Sequence, residues 1–195
     1  MKNNINIAVF ISGVGSNARN IIEYFKNNER ISISLIISNN IQSGAIEISK
    51  ESSIPFFIGG KDDFYNSNKI VEALQVHKVQ GIVLAGFLWL IPNQLLKLYP
   101  NRIINIHPSL LPKFGGKGMY GMRVHQAVKD SNENETGITI HLVNEEYDKG
   151  KILLQEKVAV HSEDTPAMIA ENVHHLEYKF YPKVIEEYFQ KEFKL

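Results

Sequence analysis

Asn105 and His107 stand two residues apart in the stretch Asn105-Ile106-His107-Pro108-Ser109-Leu110-Leu111-Pro112. The apolar run Arg102-Ile103-Ile104 before them reads as a buried strand ending at His107. Side chains alternate along a strand, so Asn105 and His107 share one face and Ile106 takes the other. An amide and an imidazole thus emerge together at a strand's carboxyl end, where open α/β sheets bind ligands. An amide N–H can hold the negative charge that develops on oxygen during acyl transfer. A protonated imidazole can do the same, or move a proton. No attacking side chain accompanies them, since the chain has no cysteine and no serine in a G-x-S-x-G turn. Direct transfer between two bound substrates fits these residues better than a covalent intermediate.

Three other stretches carry chemistry. Ser12-Gly13-Val14-Gly15-Ser16-Asn17 follows an apolar run and opens a helical pattern. Glycines admit a ligand close to the backbone, and N–H groups at a helix start bind anions. The loose dinucleotide fingerprint is met, but the next strand ends Ser38-Asn39-Asn40, without the carboxylate that holds a ribose hydroxyl. A single phosphate group is the favoured ligand, against a plain strand–helix turn. Asp148, in Glu145-Glu146-Tyr147-Asp148-Lys149-Gly150, reads locally as a turn residue. Were that turn to fold over the Asn105 strand, its carboxylate would pair with His107, raise its pKa and favour the charged ring. His174-His175-Leu176-Glu177 invites a metal, but adjacent helical histidines diverge and no H-E-x-x-H spacing is present, so no metal site is expected. His77, His125, His141 and His161 lack companions that suggest ligands.

The elements that must position these groups form a β-α alternation. Apolar runs predict strands over 5–11, 31–37, 54–58, 81–85 and 102–107. Helical spacing predicts helices after Ser16, after Ser43-Gly44, from Asp62 or Asp63 to about His77, and from Pro92 to about Tyr99. This is the pattern of a mostly parallel, Rossmann-like twisted sheet with helices on both faces. After Pro112 it changes. A Gly-rich loop, 113–121 (KFGGKGMYG), leads to a short helix around Val124 to Val128. Two strands, 136–143 and 152–160, then read as an antiparallel pair. Thr165-Pro166 starts a long C-terminal helix whose apolar stripe is Ile169, Val173, Leu176, Phe180 and Val184, with Pro182 expected to kink or split it. Phe87-Leu88-Trp89-Leu90-Ile91, after the fourth strand, is either core or the wall of a flat aromatic-ligand pocket. One domain, 1–195, is expected, with a phosphate-binding half (1–107) and a second half (108–195).

Lys+Arg and Asp+Glu both number 21, so the formal net charge is zero, which argues against a nucleic-acid binder. No run approaches the roughly 18 apolar residues of a membrane span. Met1-Lys2-Asn3-Asn4 runs directly into a short strand rather than an apolar leader. With no cysteine, a cytoplasmic protein acting on small molecules is expected, as a monomer or homodimer.

The motifs Ser12-Gly13-Val14-Gly15-Ser16-Asn17, Leu84-Ala85-Gly86-Phe87, Asn105 to Pro112 and Tyr147-Asp148-Lys149-Gly150 occur in the order of a known family. On them the chain resembles the phosphoribosylglycinamide formyltransferases, the glycinamide ribonucleotide transformylases of the folate-dependent formyltransferase superfamily. The likeness spans nearly the whole chain. It implies that 10-formyltetrahydrofolate, as co-substrate and without a metal, gives its formyl group to the amine of glycinamide ribonucleotide in purine synthesis. Asn105, His107 and Asp148 match the family's catalytic trio. Gly15, Ser16 and Asn17 match its phosphate loop, and Glu177 a substrate-binding glutamate. His174 stands one turn earlier, where the family has a polar residue. Leu88, Trp89, Leu90 and Ile91, with Asn105, Asn144 and Tyr147, match folate-receiving segments, and Lys61 lies near a folate-contacting arginine. Trp89 stands where a basic residue is often found, and the loop 113–121 is longer than the family's short form. Two readings compete: a formyltetrahydrofolate deformylase, whose usual N-terminal regulatory domain is not expected here, and a non-catalytic nucleotide-binding module, which would leave the Asn105/His107 pair unexplained.

Overall fold

The computed structural model describes residues 4–194; residues 1–3, read above for a leader, and residue 195 lie outside the described residues. Five parallel strands come first: β1 (Ile5–Ile11), β2 (Ile31–Ser38), β3 (Phe56–Ile58), β4 (Gly81–Leu84) and β5 (Ile103–His107). Between them lie α1 (Ser16–Phe25), α2 (Ala45–Ser52), α3 (Lys61–Tyr65), α4 (Lys69–Val76) and α5 (Asn93–Leu98). α6 (Met122–Asp130) leads to β6 (Glu135–Leu142) and β7 (Ile152–Ala159), which extend the sheet antiparallel to β5 and to each other. α7 (Pro166–Glu192) closes the chain. The strand order is β3-β2-β1-β4-β5-β6-β7. The order reverses between β1 and β4, so their carboxyl ends open a crevice beside β5.

β1 shows why the runs are continuous rather than alternating. Ile7, Val9 and Ile11 enter a core with Ile21 and Phe25 of α1 and Val173 and Ile185 of α7. Ala8 and Phe10 enter the opposite core, with Phe64, Leu74 and Leu95 of α3, α4 and α5. Covered on both faces, the strand has no solvent side to hold polar residues.

Three expectations are corrected. The helix read from Asp62 or Asp63 to His77 is two helices, because Asn66 leaves helical geometry (φ −117, ψ 0) in the polar run Asn66-Ser67-Asn68. Asp63 serves the first of them, its carboxylate accepting the Gly60 N–H at 2.8 Å. Pro182 does not split the last helix, which runs unbroken for 27 residues. Pro182 cannot donate to the Tyr178 carbonyl four residues back, and the Asn20 amide of α1 donates there instead, at 3.0 Å. The most buried line of α7 is also rotated from the predicted stripe. Ile169, Val173, Glu177, Tyr181, Ile185 and Phe189 are buried, while Leu176, Phe180 and Val184 pack half-buried at the margin. Tyr181 tolerates full burial because its hydroxyl is shared between the carbonyls of Leu84 and Ile104, at 2.8 and 3.1 Å. α7 is thereby fastened beneath β4 and β5, just short of Asn105.

Candidate active site

The crevice is a cavity of about 610 Å³ running from the start of α1, past the ends of β4 and β5, to the turn before β7. Its floor at β5 is set by register. Asn105 lies opposite His141 of β6, and His107 opposite Thr139. The four side chains therefore share one face. Thr139 Oγ donates to Ser109 O at 2.6 Å and accepts Leu111 N–H at 3.0 Å, which fixes the turn after His107.

The turn bearing Asp148 folds back onto β5. Gly150 permits this, for a Cβ there would strike the Leu142 carbonyl. Asp148 itself takes a left-handed conformation, φ 56. One carboxylate oxygen then lies 3.5 Å from His107 Nδ1 and accepts the Gly116 N–H at 2.9 Å. The other lies 3.6 Å from His141 Nε2. His107 Nε2 donates to the Phe114 carbonyl at 2.8 Å, so the loop 113–121 covers the ring from above. His141 Nδ1 donates to Leu142 O at 2.8 Å, which in the neutral ring leaves Nε2 to accept the Asn105 amide at 3.1 Å.

Burial lowers the His107 pKa, outweighing the upward pull of Asp148 and of the Phe114 carbonyl. The expected charged resting state is thus corrected: the carboxylate acts as foreseen, but desolvation of a ring only 4% exposed is the larger effect. Burial also pushes Asp148 upward, yet the His141 and His107 rings and the Gly116 N–H together hold it below the usual carboxylate range.

At the other end of the cavity, Gly15 caps α1 in a left-handed conformation, φ 79, with no side-chain cap. First-turn N–H groups are left for a ligand. A Cβ on Gly15 would sit 2.5 Å from Ile48 Cδ1. Ser12, at the start of this loop, is braced by its N–H on Gly86 O and by Leu88 N–H on its Oγ, at 3.1 and 2.9 Å. Glu177, 4% exposed, accepts from Asn17 at 2.9 Å and from His174 at 2.8 Å. The bond to Glu177 raises the His174 pKa.

A family model described as formyl transferase matches residues 5–185. The chain belongs to the formyl transferase family. It is 41% identical over 185 residues to the chloroplastic phosphoribosylglycinamide formyltransferase of Arabidopsis thaliana, covering 92% of this chain and 63% of that one. It thus spans less than two thirds of that plant relative's length. To the phosphoribosylglycinamide formyltransferase of Bacillus subtilis it is 38% identical, over 92% of each chain. A solved phosphoribosylglycinamide formyltransferase from Bacillus halodurans superposes with a TM-score of 0.84 at 32% identity, over 96% of both chains.

Not every residue marked in the sequence lines the crevice. Gly15, Ser16, Asn17, Leu88, Trp89, Leu90, Ile91, Asn105, His107, Tyr147, Asp148, His174 and Glu177 do. Lys61 lies exposed at the start of α3, outside the lining. Asn144 also lies outside it, its side chain accepting the Glu146 N–H at 3.1 Å. Phe87 to Ile91 is both of the things it was read as. Phe87 and Ile91 are core, Leu88 is exposed, and Trp89 packs edge-on against Phe64 at 5.4 Å while facing the cavity. His141 and His125 line the cavity although each was read as lacking companions. The signal for His141 was its place two residues after Thr139 in an alternating strand, but its partner depended on antiparallel register. Among the described residues no group of three or more His, Asp or Glu is arranged to hold a metal ion. No helix of the described residues is long and apolar enough to cross a membrane.

Proposed function

We propose that this protein transfers the formyl group of 10-formyltetrahydrofolate to the amine of glycinamide ribonucleotide, a step of purine synthesis. The reading rests on family membership, on the names its relatives carry, and above all on one observation. His107 and Asp148 lie 3.5 Å apart beside Asn105, in a cavity whose other end is an uncapped helix start.

In this reading the nucleotide phosphate sits on the N–H groups at Gly15, Ser16 and Asn17. Glu177 and His174 hold the nucleotide between the phosphate and the reacting amine. The folate enters past Leu88 to Ile91 and Tyr147, meeting backbone groups. Tyr65 already occupies the Leu90 carbonyl at 2.7 Å and Ser12 Oγ the Leu88 N–H at 2.9 Å, so the pterin would meet other backbone groups of this segment. Of the loop lysines, Lys117 lines the cavity and is the one placed to meet substrate, while Lys113 is paired with Glu133 at 2.9 Å.

The amine lone pair attacks the formyl carbon, and the carbonyl electrons move onto oxygen. Asn105 N–H and His107 stabilise that oxyanion. His141, accepting one amide hydrogen of Asn105, fixes which way the other points. The neutral His107 takes up the proton leaving the amine at Nδ1, through water held by Asp148, and Asp148 supports the resulting imidazolium until that proton is passed on. The new C–N bond stays, the bond to the folate nitrogen breaks, and the proton leaving the amine ends on that nitrogen, relayed through water held by Asp148. For Nε2 to reach the oxyanion, the Phe114 carbonyl must release it, so the loop 113–121 moves during turnover. A cytoplasmic location is part of this reading.

The test mixes purified protein with 10-formyltetrahydrofolate, with and without glycinamide ribonucleotide, and follows release of tetrahydrofolate. Product that requires the nucleotide is expected. Equal product without it would make the protein a hydrolase, and no product in either case would leave only a binding module.

A further inference from the structure

His125 is the buried titratable group that the transfer chemistry above leaves unused. It sits in α6 between Val124 and Val128, both fully buried, and is itself 3% exposed. It nevertheless lines the cavity. Its Nδ1 is buried without a hydrogen-bond partner among the described residues. The charges that act on it are Glu177 and His174 of α7, on the nucleotide side, and His107 at the reacting centre. With α6 packed against α7, the ring lines the cavity along the nucleotide's path.

We propose that His125 is a further substrate-binding residue, hydrogen-bonding a neutral hydroxyl or carboxamide of the ribonucleotide between its phosphate and its reacting amine. The inference rests on the formyl-transfer reading. A purely structural role explains the site poorly. Leucine would fill the same space between two valines, whereas an imidazole with an unpaired buried nitrogen costs stability. A ligand that draws the ring toward the cavity it lines and hydrogen-bonds it there offsets the cost only in the complex, which makes it binding energy. Burial lowers the His125 pKa to about 4, so the ring is neutral at working pH. A neutral imidazole can donate at one nitrogen and accept at the other, which suits a hydroxyl or amide and not a phosphate.

The test uses the full chain with His125→Leu and His125→Gln, in steady-state transfer with each substrate varied and in calorimetric titration with the nucleotide. His125→Leu is expected to raise the nucleotide KM by about 3- to 10-fold, the size of one lost neutral hydrogen bond. The effect on the nucleotide KM should exceed that on kcat and on the folate KM. The ratio of variant to wild-type KM should stay constant from pH 6 to 8, and melting should occur no lower than in wild type. His125→Gln, which restores a donor and an acceptor, should recover part of the affinity. An analogue lacking the ribose hydroxyls assigns the partner: the His125 effect disappears with it if a hydroxyl is bound, and persists if the carboxamide is. An unchanged nucleotide KM in His125→Leu, with or without a lower melting temperature, overturns the inference. Failure of the wild-type protein to transfer formyl to the nucleotide is a separate failure, of the function itself, seen before any variant is made.

Discussion

Replacing Asp148 by asparagine keeps the side-chain shape and removes its charge. The backbone tolerates the change, since asparagine accepts the left-handed conformation of this position, φ 56. The asparagine oxygen can still accept the Gly116 N–H, which Asp148 accepts at 2.9 Å, so the loop 113–121 stays tethered. What is lost is support for a charged His107 at 3.5 Å. At an effective dielectric of about 20, two unit charges at that separation attract by about 4–5 kcal/mol. If between half and all of this is felt only when His107 is charged in the transition state, kcat/KM falls about 30- to 5,000-fold. The nucleotide KM should change little, because Asp148 lies at the far end of the cavity from Gly15. Asp148 raises the His107 pKa against the larger effect of burial. Its removal therefore lowers that pKa further, and the acid inflection of the rate profile should move to lower pH. The assay is steady-state transfer from pH 5 to 8, with circular dichroism to verify folding. A folded Asp148→Asn protein that keeps more than a third of wild-type kcat/KM would refute the role given to the pair.

Tyr181→Phe strips the hydroxyl shared by the Leu84 and Ile104 carbonyls, and should cost about 1–3 kcal/mol in urea unfolding; an unchanged midpoint would remove α7's fastening role. Gly15→Ala combines a left-handed φ of 79 with a contact of 2.5 Å to Ile48, and should raise the nucleotide KM at least tenfold while sparing the folate KM; equal effects on both would dissociate the loop from the phosphate. His125 is held neutral in the fold, with a pKa of about 4, while the unfolded chain takes up its proton near 6.5. A depressed folded pKa gives stability that is present above the unfolded value and lost as pH falls toward the folded one. Unfolding free energy should thus drop by about 2 kcal/mol from this group between pH 7 and pH 5, and His125→Leu should remove that part of the slope.

The layout of the parallel half was legible because a doubly covered strand must be apolar at nearly every position, as from Ile7 to Ile11, and such runs stand out. The same local logic failed where a distant group changed the outcome. Pro182 reads as a helix breaker because its own turn lacks a donor; Asn20, far away in the chain, supplies one. Glu177 and Tyr181 fall outside the predicted apolar stripe, yet they are buried because Asn17, His174 and two strand carbonyls satisfy them.

Sequence alone determined that an amide and an imidazole leave one strand end together, since alternation along a strand is a property of the local backbone. It also determined the glycine-bounded helix start, for the same reason. Only the tertiary structure decided that Asp148 belongs to His107, that His141 belongs to Asn105, and that His125 faces the cavity at all. Those pairings depend on β6 running antiparallel to β5 in one register, on Gly150 letting a turn fold back, and on α6 packing against α7. The charge state of His107 was likewise beyond the sequence. A neighbouring carboxylate and burial push it in opposite directions, and only the folded surroundings set which is larger.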